Sequence, residues 1–168
     1  MRERQLRQRC RRLLNGLGIT PPLNVAELCQ RVGQQRGRPI RVLGYPMPAA
    51  GPFGVWIATD RADYVLYQQE TSRAHQDHII LHELGHILAD HIGDGNAPAT
   101  TLYPDIDPAV VLRALQRTSY DDEHEREAEM IATIILEWAS VLDRVAARSN
   151  QPTTRRMDTA LGDRWGWL

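Results

Sequence analysis

The sequence predicts an α+β fold in which a small antiparallel sheet of about three strands packs beside a buried helix, with helical segments at both ends of the chain. Three observations carry this. Apolar residues recur at three- and four-residue spacing over residues 2–17 and 24–34, the period of an amphipathic helix. Short runs rich in β-branched and aromatic residues, bounded by Pro, Gly and Asp, follow at 39–45, 54–59 and 64–67. Two longer helical patterns come next, an apolar one over 71–91 and an acidic one that turns apolar over 120–142. The 168 residues suffice for one domain with a real core, which we place at 1–150: helices over 1–35, the sheet over 39–67 and the two later helices over 71–142.

The first helix is Arg-rich and carries Leu6, Cys10, Leu13, Leu14 and Leu17 as its apolar stripe. Gly16 and Gly18 stop it, and Pro21 and Pro22 make a turn. Asn24 caps a second helix that buries Val25, Leu28, Cys29 and Val32. Strand 39–45 leads into a loop of Pro46, Pro48, Gly51 and Pro52, and strands 54–59 and 64–67 are joined by a turn at 60–63. Thr71 or Ser72 caps the helix over 71–91, which Gly93 to Asn96 terminate. Asp107 or Pro108 starts a short helix running to about Arg117. The stretch from Tyr120 opens with an acidic first turn, as the helix dipole favours, and its later turns are apolar nearly all round, which predicts burial. Residues 151–168, with Trp165 and Trp167, form a short helix or a tail.

Composition excludes several classes. A net charge of -1 gives no bulk attraction to nucleic acid or membrane. The charge is uneven: residues 1–41 hold ten Arg against Glu3 and Glu27, a local +8. Such a run is ordinarily the wet face of an amphipathic helix. Cys10 and Cys29 lack metal-ligand spacing and suit buried thiols in a reducing compartment. Leu13-Leu14 is broken at once by Asn15 and Gly16, so no secretory signal is expected. The longest apolar run, Met130 to Leu142, is too short to span a bilayer and contains Glu137. A cytoplasmic protein is expected, with no membrane and no direct nucleic-acid partner.

The chemistry is concentrated in His82-Glu83-Leu84-Gly85-His86, flanked by Ile79-Ile80-Leu81 and Ile87-Leu88. Residues four apart share a helix face, so His82 and His86 can offer two imidazole nitrogens to one metal ion. Glu83 reaches the neighbouring edge of that site and can take a proton from water there. Zinc suits this donor set, one ion per chain, and the chemistry implied is attack of water on a carbonyl, usually of a peptide bond. His91 is nine positions from His82, which on a continuing helix puts it on the opposite face, away from that metal. His75 and His78 share the face of His82 and suit hydrogen-bonded structural roles, the alternative being that they line the cleft or support the ligands. His124 is expected at the surface. A third ligand is sought downstream, where Glu125 and Glu129 lie on one face beside small Ala128 and Ala132, which permit close helix approach; Glu123 and Glu127 fall mainly on the other side. Tyr120 and His78 are candidate donors to an oxyanion.

His82-Glu83-Leu84-Gly85-His86 followed by Glu125-Arg126-Glu127-Ala128-Glu129-Met130-Ile131-Ala132 resembles the ImmA/IrrE family of zinc metallopeptidases, whose pattern is H-E-x-x-H followed by E-x-E-A-(N/D)-x-F-A. The similarity extends loosely over residues 20–140. By position it implies that His82 and His86 are zinc ligands, Glu125 the third ligand and Glu83 the general base, on a zincin-like fold. Glu129 stands where the family has Asn or Asp, and Ile131 where it has Phe. Whether Glu129 orients a ligating His is left open, and Glu127 stands as a weaker alternative ligand. The family's activity implies a cytoplasmic endopeptidase with a protein substrate such as a helix-turn-helix transcriptional repressor. The rival reading is a catalytically silent, metal-bound module that binds a transcription factor. Strand 54–59, just before the metal helix, could pair with an extended substrate segment.

Overall fold

Leu6, Cys10 and Leu14 recur every four residues and form the buried stripe of α1 (Glu3–Gly16). The structure is a computed structural model and describes residues 3–49, 52–59, 61–91 and 121–149. The short helix expected at 107–117 and the C-terminal segment 151–168 lie outside the described residues. α2 (Val25–Arg36) begins at Asn24, whose side chain accepts from the Glu27 N–H, and ends at Gly37 in the left-handed conformation at φ 66°. Cys10 and Cys29 are free and buried. Burial pushes the Cys29 thiol up to about 12.

The sheet is mixed, and the all-antiparallel expectation is corrected. Its strands are β1 (Ile40–Tyr45), β2 (Gly54–Ala58) and β3 (Asp63–Gln68), in the order β1-β3-β2. β2 and β3 form the expected antiparallel hairpin, with Trp56 opposite Val65. Its turn is fastened by Thr59 Oγ1, which accepts from the Ala62 N–H at 3.1 Å. β1 instead pairs with β3 in parallel, Ile40 opposite Asp63 and Val42 opposite Val65. Two causes favour this. Pro46 and Pro48 deny β1 and β2 a tight hairpin turn. The buried Asp63 carboxylate then draws the start of β1 to the start of β3: Arg36 Nη1 donates to its Oδ2 at 3.0 Å, and Trp56 Nε1 donates to its Oδ1 at 3.1 Å. Arg38 Nε adds an ion pair at 3.1 Å, and Arg38 Nη2 donates to the Thr59 carbonyl.

α3 (Arg73–Leu88) starts at Ser72, whose hydroxyl accepts from the His75 N–H, so the cap is Ser72 rather than Thr71. It ends at Leu88, earlier than expected. Asp90 takes the left-handed conformation at φ 57°, with Asp90 N–H donating to Ile87 O at 3.3 Å and His91 N–H to His86 O at 3.0 Å. This pair of reversed bonds is the Schellman termination usually built on Gly; Asp is among the few other residues that tolerate the conformation. Arg9 of α1 donates to the Leu88 carbonyl, satisfying another of the helix's last acceptors.

α4 (Asp122–Ser149) is capped by Asp121, whose Oδ1 accepts from the Glu123 and His124 N–H groups. Ile131, Ala132 and Ile135 pack with Leu81, Leu84 and Ile87 of α3 in the main core, which α1, α2, Ile40 and Val65 complete. Met130 to Leu136 are buried or half-buried, as expected, and beyond them Val141 and Val145 are exposed. Among the described residues no helix is long and apolar enough to cross a membrane.

Candidate metal centre

α3 and α4 cross at their smallest residues. A Cβ on Gly85 would stand 2.7 Å from the Ala128 carbonyl oxygen and 2.9 Å from its Cα. This contact sets how near the first turns of α4 come to the histidines of α3. Gly85→Ala must therefore push α4 away, and we expect a stability loss of about 2 kcal/mol, typical of overpacking against a backbone that cannot yield. The same shift should weaken metal binding through Glu125. Urea unfolding and metal titration of the variant would measure both, and a variant matching wild type in each would refute this role of the contact.

Across that crossing the side chains of three residues converge. His82 Nε2 and His86 Nε2 are 3.1 Å apart, and Glu125 places Oε2 3.2 Å from the first and Oε1 3.5 Å from the second. Among the described residues this trio is the group of His, Cys, Asp and Glu side chains that could hold a metal ion. Glu129, one turn after Glu125, turns the other way round His82. Its Oε2 is 3.2 Å from His82 Nδ1 and 3.1 Å from His78 Nε2. A carboxylate only accepts, so His82 donates at Nδ1 and presents a lone pair at Nε2, toward Glu125 and His86. This is the contact that an orienting carboxylate would make. His78 shares the Glu129 carboxylate with His82.

His86 is buried, and its pKa is lowered to about 3, first by burial and then by the neighbouring His82, His91 and His124. It is therefore neutral at ordinary pH, the state in which imidazole binds metals. Glu83, one turn before His86, is buried as well. Its pKa is raised to about 8 by burial and by the charge of Glu125, while a backbone hydrogen bond from Trp56 pulls it down. Its Oε2 is buried and, among the described residues, has no hydrogen-bond partner. The room for this carboxylate comes from β2: a Cβ on Gly54 would lie 2.7 Å from Glu83 Oε1 and 2.6 Å from the Ile79 side chain.

These groups line a cleft of about 280 Å³ between the start of β2 and α3. Pro52, Phe53 and Gly54 form one wall, His75, His78, Ile79, His82, Glu83 and His86 the other, and Glu125 closes it. His75 shares a hydrogen bond with the Thr71 hydroxyl at 2.9 Å and meets Phe53 edge-on at 5.2 Å between ring centroids. Phe53 is 54% exposed, at the rim. The arrangement can bind a cation through neutral imidazoles and a carboxylate and can exchange a proton at Glu83.

One histidine lies elsewhere than the helix pattern suggests, while Glu127 is, as expected, on another side of its helix from Glu125. His91 is not on an opposite face, because α3 has ended; its Nδ1 is 3.0 Å from His86 Nδ1. Glu127 stands away from the trio, with Oε2 3.3 Å from His91 Nε2. Gly85, Gly54 and Asp63 escaped the sequence reasoning as well. The signal for Gly85 was available, since a Gly between two histidines on a buried helix face suggests close approach of another backbone. Tyr120 lies outside the described residues. No family model, no curated protein and no solved structure matches the chain.

Proposed function

We propose that the chain is a zinc-dependent endopeptidase of the ImmA/IrrE type, with a zincin-like fold, in which His82, His86 and Glu125 hold the ion. The observation that carries this is the convergence of His82 Nε2 and His86 Nε2, 3.1 Å apart, with the Glu125 carboxylate, whose Oε2 lies 3.2 Å from the first and Oε1 3.5 Å from the second. Zinc with ligand bonds of about 2.0–2.1 Å has tetrahedral edges of about 3.3 Å, so the donor set fits in spacing as well as in chemistry. Three protein ligands leave the fourth position to water or substrate. When bound, zinc supplies Lewis acidity to water and to a substrate carbonyl.

The rest of the reaction falls to side chains. Glu83 Oε2 is a buried acceptor beside the cleft that is unpartnered among the described residues, and it takes the proton of the attacking water and returns it to the leaving amine. Glu129 holds His82 in its ligating tautomer. β2 is an edge of the sheet and pairs, among the described residues, with β3 alone, so an extended protein segment can add to it through backbone hydrogen bonds. Backbone pairing selects little by side chain, so the preferred substrate is a folded protein that docks elsewhere, such as a helix-turn-helix repressor. The free buried thiols of Cys10 and Cys29 support a reducing, cytoplasmic setting.

Metal analysis of the purified protein should give about one zinc per chain, with His82→Ala and His86→Ala each losing it. Incubation with candidate repressors should give site-specific cleavage that a chelator abolishes. Full zinc content in both His variants would refute the site. Zinc-loaded protein that binds a repressor tightly and cuts none would identify a catalytically silent module instead.

A further inference from the structure

Each imidazole of the ligand pair has a carboxylate behind it, but the two are reached differently. His82 meets Glu129 directly. His86 reaches Glu127 through a second ring: His86 Nδ1 to His91 Nδ1 is 3.0 Å, and His91 Nε2 to Glu127 Oε2 is 3.3 Å. We infer that His91 and Glu127 are positioning residues of the metal centre, which hold His86 with its proton on Nδ1 and its Nε2 lone pair facing His82 and Glu125. The inference deepens the reading of the trio as a metal site and rests on it.

The proton order follows from the end of the relay. Glu127, as a carboxylate, accepts from His91 Nε2–H. The Nδ1 of a neutral His91 is then a lone pair, and it accepts the proton that His86 carries on its own Nδ1. His86 Nε2 is left as a lone pair, the form a metal requires. The backbone supports this arrangement. The Schellman turn at Asp90 reverses the chain directly after α3 and returns His91 to the level of His86. His91 is 5% exposed, and the ring of His124 stacks on it at 4.2 Å with 29° between planes. α4 thereby serves the site three times within two turns: Glu125 toward the ion, Glu127 behind His86 through His91, and Glu129 behind His82.

A purely structural role for His91 would alter stability but not affinity per folded molecule. The test therefore measures zinc and cobalt affinity of the full chain by competition with a chromophoric chelator, at temperatures where each variant is folded. His91→Leu keeps bulk and removes the acceptor, and Glu127→Ala removes the end of the relay. Both should lower affinity roughly 10- to 100-fold, the usual cost of losing such a partner. Glu127→Gln, whose amide oxygen still accepts, should recover much of the loss. Nitrogen-15 spectra of the metal-free protein give a second readout: His86 should be protonated on Nδ1 in wild type and become a tautomer mixture in His91→Leu. Should His91→Leu fail to fold, the two Glu127 variants decide the matter. Unchanged affinity and an unchanged His86 tautomer in the variants, with His82→Ala unable to bind, would overturn the relay alone. Absence of zinc binding by wild type would overturn the metal reading and the relay with it.

Discussion

Glu83→Gln is expected to stabilise the metal-free protein at pH 8 and, on the proposed activity, to reduce peptide hydrolysis by roughly 10²- to 10⁴-fold, the usual contribution of a general base. Both effects have one cause. Burial, then the charge of Glu125, raise the Glu83 pKa from 4.5 to about 8, against the pull of the Trp56 N–H. The folded state thus favours the protonated acid. Its contribution to stability is complete below the unfolded pKa and is lost as pH rises through the folded one. Metal-free wild type should lose on the order of 4 kcal/mol across this window, at about 1.4 kcal/mol per pKa unit. Gln cannot ionise and is free of that slope, and it cannot carry a proton from water to a leaving amine. Urea unfolding in chelator at pH 5, 6.5 and 8 would check the first half, and cleavage of a substrate by zinc-loaded protein the second. A Gln variant with the wild-type slope would show that Glu83 is not the titrating group.

Asp63→Ala is expected to cost about 3 kcal/mol, the scale for removing one partner of a buried ion pair. The carboxylate is 1% exposed, whereas Arg36 and Arg38 are 30% and 34% exposed, so the two cations can recover some hydration. The indole N–H of Trp56 cannot, and its lost acceptor adds to the cost. Asp63→Asn keeps an acceptor for the indole and loses the charge, so it should fall between the two. Because Asp63 joins the end of α2, the approach to β1, and β2, the variant should also loosen the wall of the cleft that Gly54 supplies. Denaturant midpoints of the two variants measure this, and a loss below about 1 kcal/mol for Asp63→Ala would refute the pinning role.

What could be read ahead of the structure was whatever repeats along the chain. The apolar periods of α1, α2 and α4, and the shared face of His82 and His86, are local properties of a helix. The nearness of Glu125 needed one further idea, that small Ala128 and Ala132 admit a close neighbour. Features that depend on which segments meet through space were not legible. No residue in β1 announces a parallel partner, and the Asp63 carboxylate that favours one looks, in sequence, like a turn residue. The place of His91 was missed for a different reason. The argument against it assumed that α3 continues, but its stop is Asp90 in a conformation that sequence assigns first to Gly. One unmarked helix end thus changed the role of a histidine and of Glu127.

The two cysteines supply a probe of how far the molecule behaves as one unit. Cys29 is 0% exposed in the core, and its thiol holds its proton up to about 12, so it is inert toward alkylating reagents while the fold is closed. Modification then proceeds only through opening, and in the fast-reclosing regime its rate counts the open population. Both thiols lie on α1 and α2, whereas every residue of the metal trio lies on α3 and α4. A ligand that binds only the closed form protects all that opens together and nothing that opens separately. Zinc-dependent protection of Cys10 and Cys29 would mean that the helical layer and the ligand helices open as a single cooperative block. Unequal protection would mark a seam between them, and would locate it on one side or the other of α2.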